Sequence, residues 1–246
     1  MSLQSEFAHA ERAALVTVVD GPHLGAKLLV RADGRSEGSL GDPELDSRAL
    51  ALGEELMWAE RSELHGELFV DVTAPPPRLV VFGAVDYAAA ICKLARALGW
   101  RAYVVDPRAR FATRERFPDA EDVIVAWPEQ AFAQLGGIDR ATYIAVITHD
   151  PKLDDAALTQ ALRSEAPYIG AMGSRRAQAK RRERLLELGI TDDELARISA
   201  PIGLDLGGLT SEETALSIMA EVVAVRNARE GGRLSAASGR IHEVGA

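Results

Sequence analysis

Residues 79–88 read Leu-Val-Val-Phe-Gly-Ala-Val-Asp-Tyr-Ala. Four apolar residues make a run of the length of a buried strand, and the run ends at Gly83. A helical pattern follows over about 85–98, with Ala84, Ala88, Ile91, Ala95 and Leu98 on one face and Gly99 as the stop. Strand, glycine turn and helix in this order predict a parallel sheet covered by helices. The turn also invites comparison with the dinucleotide fingerprint Gly-x-Gly-x-x-Gly/Ala. Gly83 and Ala88 fill the first and third positions, but Val85 replaces the glycine that lets a backbone approach a pyrophosphate. Asp86 adds a negative charge that repels phosphate unless a cation intervenes.

Downstream the alternation continues. Strands are expected at 102–105, 122–126, 143–148 and 168–172. Helices are expected after Pro128, at 154–163, 174–188, 191–198 and 211–229. Thr191…Glu194 and Thr210…Glu213 read as capping boxes. Upstream, Pro75-Pro76-Pro77 is an extended connector and marks a boundary. Before it, strands are expected at 12–20, 25–30 and 67–72, with a turn at Ala32-Asp33-Gly34 and a helix over 43–60. Apolar positions in this part are too few to predict a sturdy core, so it is expected to pack on the larger domain or on a second subunit. The predicted architecture is α/β. A small N-terminal α+β domain spans 1–74, a Rossmann-like, mostly parallel sheet with helices on both faces spans 75–230, and a Gly/Ser/Ala-rich flexible tail spans 231–246.

Composition narrows the function. The 246 residues are 47% hydrophobic and 26% charged, as in ordinary globular proteins. A net charge of −9 disfavours nucleic acid as a partner. No apolar run is long enough to span a membrane, and residues 1–14 carry no signal-peptide pattern. Cys92, within the first helix pattern, is the single cysteine. It reads as an inert packing residue, with no disulfide or thiolate cluster, and no metal site is assigned. A cytoplasmic protein is expected.

Ligands of an open parallel sheet bind beyond the carboxyl ends of its strands, which picks out a few residues. Asp106 ends the second strand, where a ribose-binding acid belongs; an Asp-Pro turn explains it equally well. Thr148-His149-Asp150 follow the fourth strand. His149 is a tentative acid/base or ligand-binding group, and Asp150 either orients it or caps the next helix ahead of Pro151. Gly173-Ser174-Arg175-Arg176 follow the fifth strand and open a helix. This is either a simple cap with two solvated arginines or a phosphate site; its place on the ligand edge favours the site. In the glycine-rich 201–210 segment, Gly203 permits close approach, and Asp205 bonds either a ligand or Arg175 or Arg176. The basic run 180–184 spreads around its helix and reads as mostly solvated.

Taken together, Thr148-His149-Asp150, Leu153-Asp154, residues 168–176, Arg182-Glu-Arg-Leu185 and residues 201–207 resemble the XdhC/CoxI family of accessory proteins of molybdenum hydroxylases such as xanthine dehydrogenase and carbon monoxide dehydrogenase. Gly25-Ala26-Lys27, Asp33-Gly34-Arg35 and Gly38-Ser39 are similar to that family's small N-terminal domain. The resemblance implies a chaperone rather than an enzyme. Its cargo would be molybdenum cofactor, as molybdopterin or its dinucleotide form, protected, presented for sulfuration and handed to an apo-molybdenum hydroxylase. A sulfurtransferase would be a further partner, and a homodimer is expected. The implied cofactor-binding set is Gly83, Asp86, Asp106, Thr148, His149, Asp150, Gly173, Ser174, Arg175, Arg176, Gly203 and Asp205. Two stretches depart from the family. Where it carries Ser-Gly-Gly-Cys, this chain has Leu40-Gly41-Asp42-Pro43 after Ser39, without a cysteine; where it often reads Gly-Ala-Gly-His, this chain has Gly83-Ala84-Val85-Asp86. Two other readings stay open. One is an NAD(P)-dependent oxidoreductase, which Val85 and Asp86 disfavour; the other is a cofactor-free scaffold that docks a molybdoenzyme.

Overall fold

A computed structural model of the chain describes residues 2–236. It divides into two compact units, residues 2–75 with 234–236, and Pro76–Arg233. Of the tail expected at 231–246, residues 237–246 lie outside the described residues.

The first unit contains α1 (Leu3–His9), β1 (Ala13–Val18), β2 (Lys27–Arg31), β3 (Ser36–Ser39), α2 (Pro43–Ala59), β4 (Glu63–His65) and β5 (Leu68–Thr73). Its strands form an antiparallel sheet in the order β3-β2-β1-β5-β4. Asp42 starts α2 by accepting the Glu44 and Leu45 N–H groups, with Pro43 in the first turn. Ala14, Val16, Leu28, Val30, Leu56 and Met57 are among the residues of its core. Leu3 and Phe7 of α1 pack against a separate cluster of Ala13, Leu15 and Leu29. This corrects the expectation of too few apolar positions: β1 alternates its inward residues between two layers, and a helix covers each.

The second unit contains β6 (Arg78–Phe82), α3 (Asp86–Ala97), β7 (Arg101–Val105), β8 (Asp122–Ile124), α4 (Pro128–Gln134), β9 (Thr142–Val146), α5 (Pro151–Leu162), β10 (Tyr168–Ala171), α6 (Arg175–Glu187), α7 (Asp192–Leu195), β11 (Ile198–Ser199) and α8 (Ser211–Arg226). All six strands are parallel, in the order β11-β10-β9-β6-β7-β8. Counted within the unit this is 3-2-1-4-5-6 read from β8, the doubly wound Rossmann order. Period-two alternation sends Leu79 and Val81 toward α3 and α8, where Ile91, Ala95, Ile218 and Met219 meet them. Val80 and Phe82 face α4, α5 and α6 and pack with Phe132, Leu158 and Leu185. The rings of Phe82 and Phe132 lie 5.2 Å apart, edge to face.

Leu98, expected on the buried face of α3, is exposed. The helix ends at Ala97, and Leu98 leaves the helical path at the C-cap. Cys92 is buried, and burial pushes its thiol up to about 12.

Candidate functional site

The strand register aligns the exits of the parallel sheet. Phe82 pairs with both Val105 and Val146, and Val146 with Ala171. Gly83, Asp106, Thr148 and Gly173 therefore leave the sheet along one edge. The topological switch point, where strand order reverses, lies between β6 and β9. There the two loops nearly touch. Gly83 has φ +117°, and a Cβ on it would lie 3.1 Å from the Thr148 nitrogen. Only glycine fits this approach without strain.

Behind Gly83, the Ala84 N–H donates to Asp106 Oδ2 at 2.9 Å. Asp106 is fully buried. It also accepts the Arg108 N–H at 2.9 Å and the Arg108 guanidinium at 2.9 and 2.7 Å. Burial pushes the Asp106 carboxyl up, but the bonds from Arg108 and Ala84 outweigh it and hold it below the usual carboxylate range. Its oxygens thus hold the loop and display Arg108. The turn reading fits this geometry, and an acid open to a ribose diol does not.

Asp86 opens α3 and is exposed, and the cation that its charge calls for is present. Arg116 Nη2 lies 3.1 Å from it, while Arg116 Nη1 donates to the Ala84 and Phe111 carbonyls at 3.0 Å each. Val85 packs against the core on the α3 side of the sheet.

At the β9 exit Thr148 is buried, and its hydroxyl accepts the Asp150 N–H at 2.7 Å. Asp150 caps α5 through the Lys152 N–H, ahead of Pro151. This is the capping alternative. His149 is exposed, and its ring bonds no described residue.

At the β10 exit Gly173 has φ +133°, and Ser174 caps α6 by accepting the Ala177 N–H. The first turn of α6 holds no acid, and Arg175 and Arg176 are exposed without an ion pair to any described residue. The turn is pinned from within. Gln178 Nε2 donates to the Ala171 and Gly173 carbonyls at 3.2 and 3.1 Å, and Arg181 Nη2 to the Met172 carbonyl at 2.9 Å. Arg181 also pairs with Asp154 at 2.7 Å, with both side chains buried. Burial pushes the Asp154 carboxyl up, against the pull of Arg181.

Sequence reasoning did not find Gln178, Arg181, Arg108 or Arg116. Of the basic run, Lys180 and Arg182 are exposed as read, Arg182 pairing with Asp192 at the surface; Arg184 is half-buried on Asp155, and Arg181 departs from the reading, buried on Asp154. The available signal was the acids of 154–155 and 192, but only the fold brings them beside α6.

Of the two alternatives for Asp205, the contact with Arg175 or Arg176 is not formed; Asp205 is exposed. Gly203 packs on α8, where a Cβ would fall 2.4 Å from Ser217 Oγ. Its N–H donates at 2.8 Å to Glu221, which also accepts the Tyr168 hydroxyl. The structure therefore brings Gly83, Asp86, Asp106, Thr148, His149, Asp150 and the 173–176 turn to one edge, and uses Gly203 for packing.

With this geometry in hand, comparisons with known proteins place the chain. A sequence model described as the XdhC Rossmann domain matches residues 79–222, and one described as the XdhC and CoxI family matches residues 7–66. The Escherichia coli protein YqeB, itself uncharacterised, is 26% identical over 89% of this chain and 44% of its own length. A Bacillus subtilis protein, by its name a probable xanthine dehydrogenase subunit, is 30% identical over 65% of this chain and 46% of its own length. The E. coli molybdenum cofactor insertion chaperone PaoD is 30% identical over 62% of this chain and 41% of its own length. The chain thus spans less than half the length of these relatives. A Bacillus halodurans crystal structure described as a xanthine dehydrogenase shares the fold, with a TM-score of 0.61 at 22% identity over 96% of this chain and 65% of that one.

Proposed function

Because the chain belongs to the XdhC/CoxI family, we propose that it is a maturation protein that binds molybdenum cofactor and delivers it to a molybdenum hydroxylase of the xanthine dehydrogenase or carbon monoxide dehydrogenase type. The observation that carries this reading is the turn at 173–176. At the ligand edge a glycine turn feeds a helix capped by Ser174, with no acid in its first turn, beside two exposed arginines that pair with no described residue. Such a terminus attracts an anion, and arginine binds phosphate through paired N–H donors. The phosphate of a pterin cargo fits this chemistry. Gln178 and Arg181 hold the turn in place, which lowers the cost of ordering it around a ligand. His149, exposed after the neighbouring strand β9, serves as a hydrogen-bonding group for the pterin. Asp106, Asp86 and Asp150 act as holders of the neighbouring loops.

PaoD, by its name a molybdenum cofactor insertion chaperone, supports the cargo. The sealed Asp106 carboxylate speaks against an NAD-dependent oxidoreductase, which needs an acceptor for the ribose diol. The test is to purify the protein from a host that makes the cofactor, then measure released pterin fluorescence and molybdenum together. Stoichiometric pterin is expected; its absence from folded protein, with saturable NAD(P)H binding instead, would replace this reading with the oxidoreductase.

A further inference from the structure

We propose that the leucine-bearing loop 204–209, with the first turns of α8, is the surface on which the acceptor hydroxylase docks to receive the cargo; this rests on the cofactor-carrier reading above. Two sets of contacts fix how α8 lies on its sheet. Arg226, its last residue, sits over the ring of Trp100 at 5.4 Å, and Trp100 immediately precedes β7 at the amino end of the sheet. Toward the other end, the Ile202 N–H donates to the carbonyl of Ala171, the last residue of β10, and the Leu204 N–H to the Ser217 carbonyl. Ser217 therefore lies near the carboxyl edge of the sheet. Residues 211–216 carry the helix about 9 Å further, past the edge at which Gly83, Thr148 and Gly173 leave the strands.

This projecting end is apolar. Leu209 is 93% exposed, and Leu206 and Leu216 are about half exposed. Leu209 precedes the cap Thr210, where an apolar residue commonly packs on the fourth residue of the helix. That residue is Thr214, and a leucine so exposed makes no such staple. Polar contacts hold the loop instead. Glu213 accepts the Leu209 and Thr210 N–H groups at 2.8 and 3.0 Å, and a Cβ on Gly208 would fall 2.6 Å from the Glu213 Cβ. Leu216 follows Glu213 by three residues on the same helix face. The leucines are thus presented on a fixed backbone, and their burial is left for association. Asp205 and Glu212 flank them, exposed and without an ion pair to any described residue. The complement of this surface is an apolar recess with a basic rim. A second copy meeting it through the same patch would set these acids against their own equivalents, and an anionic lipid surface would repel them. The acceptor enzyme is the occupant that position selects, because cargo held at the carboxyl edge is released on the side where the leucines stand.

The test measures binding of apo-xanthine dehydrogenase and apo-carbon monoxide dehydrogenase to the immobilised protein by surface plasmon resonance. It uses wild type, Leu206→Ser/Leu209→Ser and Glu212→Lys, with the pterin content of each protein measured in parallel. Wild type should bind at least one apo-enzyme. The leucine double variant should lose that affinity by about tenfold or more while carrying as much pterin as wild type. Glu212→Lys should weaken binding too, by a margin that shrinks as salt is raised. Unchanged affinity in the double variant, or in Glu212→Lys if the double variant does not fold, would overturn the inference. Pterin-loaded wild type that binds neither apo-enzyme would also overturn it, leaving the cargo reading intact. A wild-type dimer that the leucine variant converts to monomer in light scattering, with affinity for the apo-enzyme kept, would assign the patch to a second copy instead. Wild type without pterin that still binds an apo-enzyme through the leucines would overturn the cargo reading alone.

Discussion

Arg181 and Asp154 form a buried ion pair, Nη2 to Oδ2 at 2.7 Å, that ties α6 to α5. The same guanidinium holds the Met172 carbonyl, so a contact hidden in the layer of helices sets the turn that faces the ligand edge. Arg181 Nε and Asp154 Oδ1 have no partner among the described residues, which leaves the pair only partly compensated for its lost hydration.

Removing one member should be severe. Arg181→Met strands a buried carboxylate and should destabilise the protein by about 3–5 kcal/mol in urea unfolding. Asp154→Asn together with Arg181→Met should recover much of that loss, since neither charge then stays buried alone. A double variant no more stable than Arg181→Met would contradict this account.

The arginines at the turn should behave in the opposite way. Arg175→Ala with Arg176→Ala should leave stability within about 0.5 kcal/mol, because both are exposed and pair with no described residue. Binding of a phosphate-bearing pterin, followed by calorimetry, should weaken by about 2–4 kcal/mol. Unchanged affinity would remove the phosphate site from the 173–176 turn.

Asp106 predicts a pH dependence. Its carboxyl is held below the ordinary carboxylate range in the folded protein. Its contribution is therefore complete above the unfolded value, near 3.8, and is lost as pH falls through the lower folded value. Asp106→Asn should be less stable at neutral pH and should lose less additional stability on acidification than wild type. Parallel stability-against-pH curves for the two proteins would exclude this.

Gly83→Ala should destabilise by about 1–3 kcal/mol, since it places a Cβ against the Thr148 backbone at a left-handed φ. A variant with wild-type urea midpoint would show that the loops at the switch point can part freely.

Asp86→Asn should alter ligand affinity little, since Arg116 already offsets the charge. A gain of about tenfold or more in binding a nucleotide probe, measured by titration, would show that Asp86 repels the phosphate despite its partner.

The elements legible in the sequence were those with strong local patterns. β6, β7, β9 and β10 are apolar runs bounded by turns, and both capping boxes form as read. The strands that escaped, β3, β4 and β11, are all edge strands of four residues or fewer. Such strands need no apolar alternation, because one side has no partner to satisfy. α1 escaped because a single turn of leucine and phenylalanine carries little periodicity, and only the sheet beneath Leu3 and Phe7 gives it a buried face.

The sequence by itself determined the alternating α/β plan, the family pattern and the candidate turn at 173–176, because each is written in neighbouring residues. Tertiary structure decided what the charges do. Arg108 is displayed by Asp106, Arg116 offsets Asp86, and Arg181 is buried on Asp154 across 27 residues of chain. Electrostatic partnership depends on distance in space and on burial, and neither is encoded in the spacing of residues along the chain.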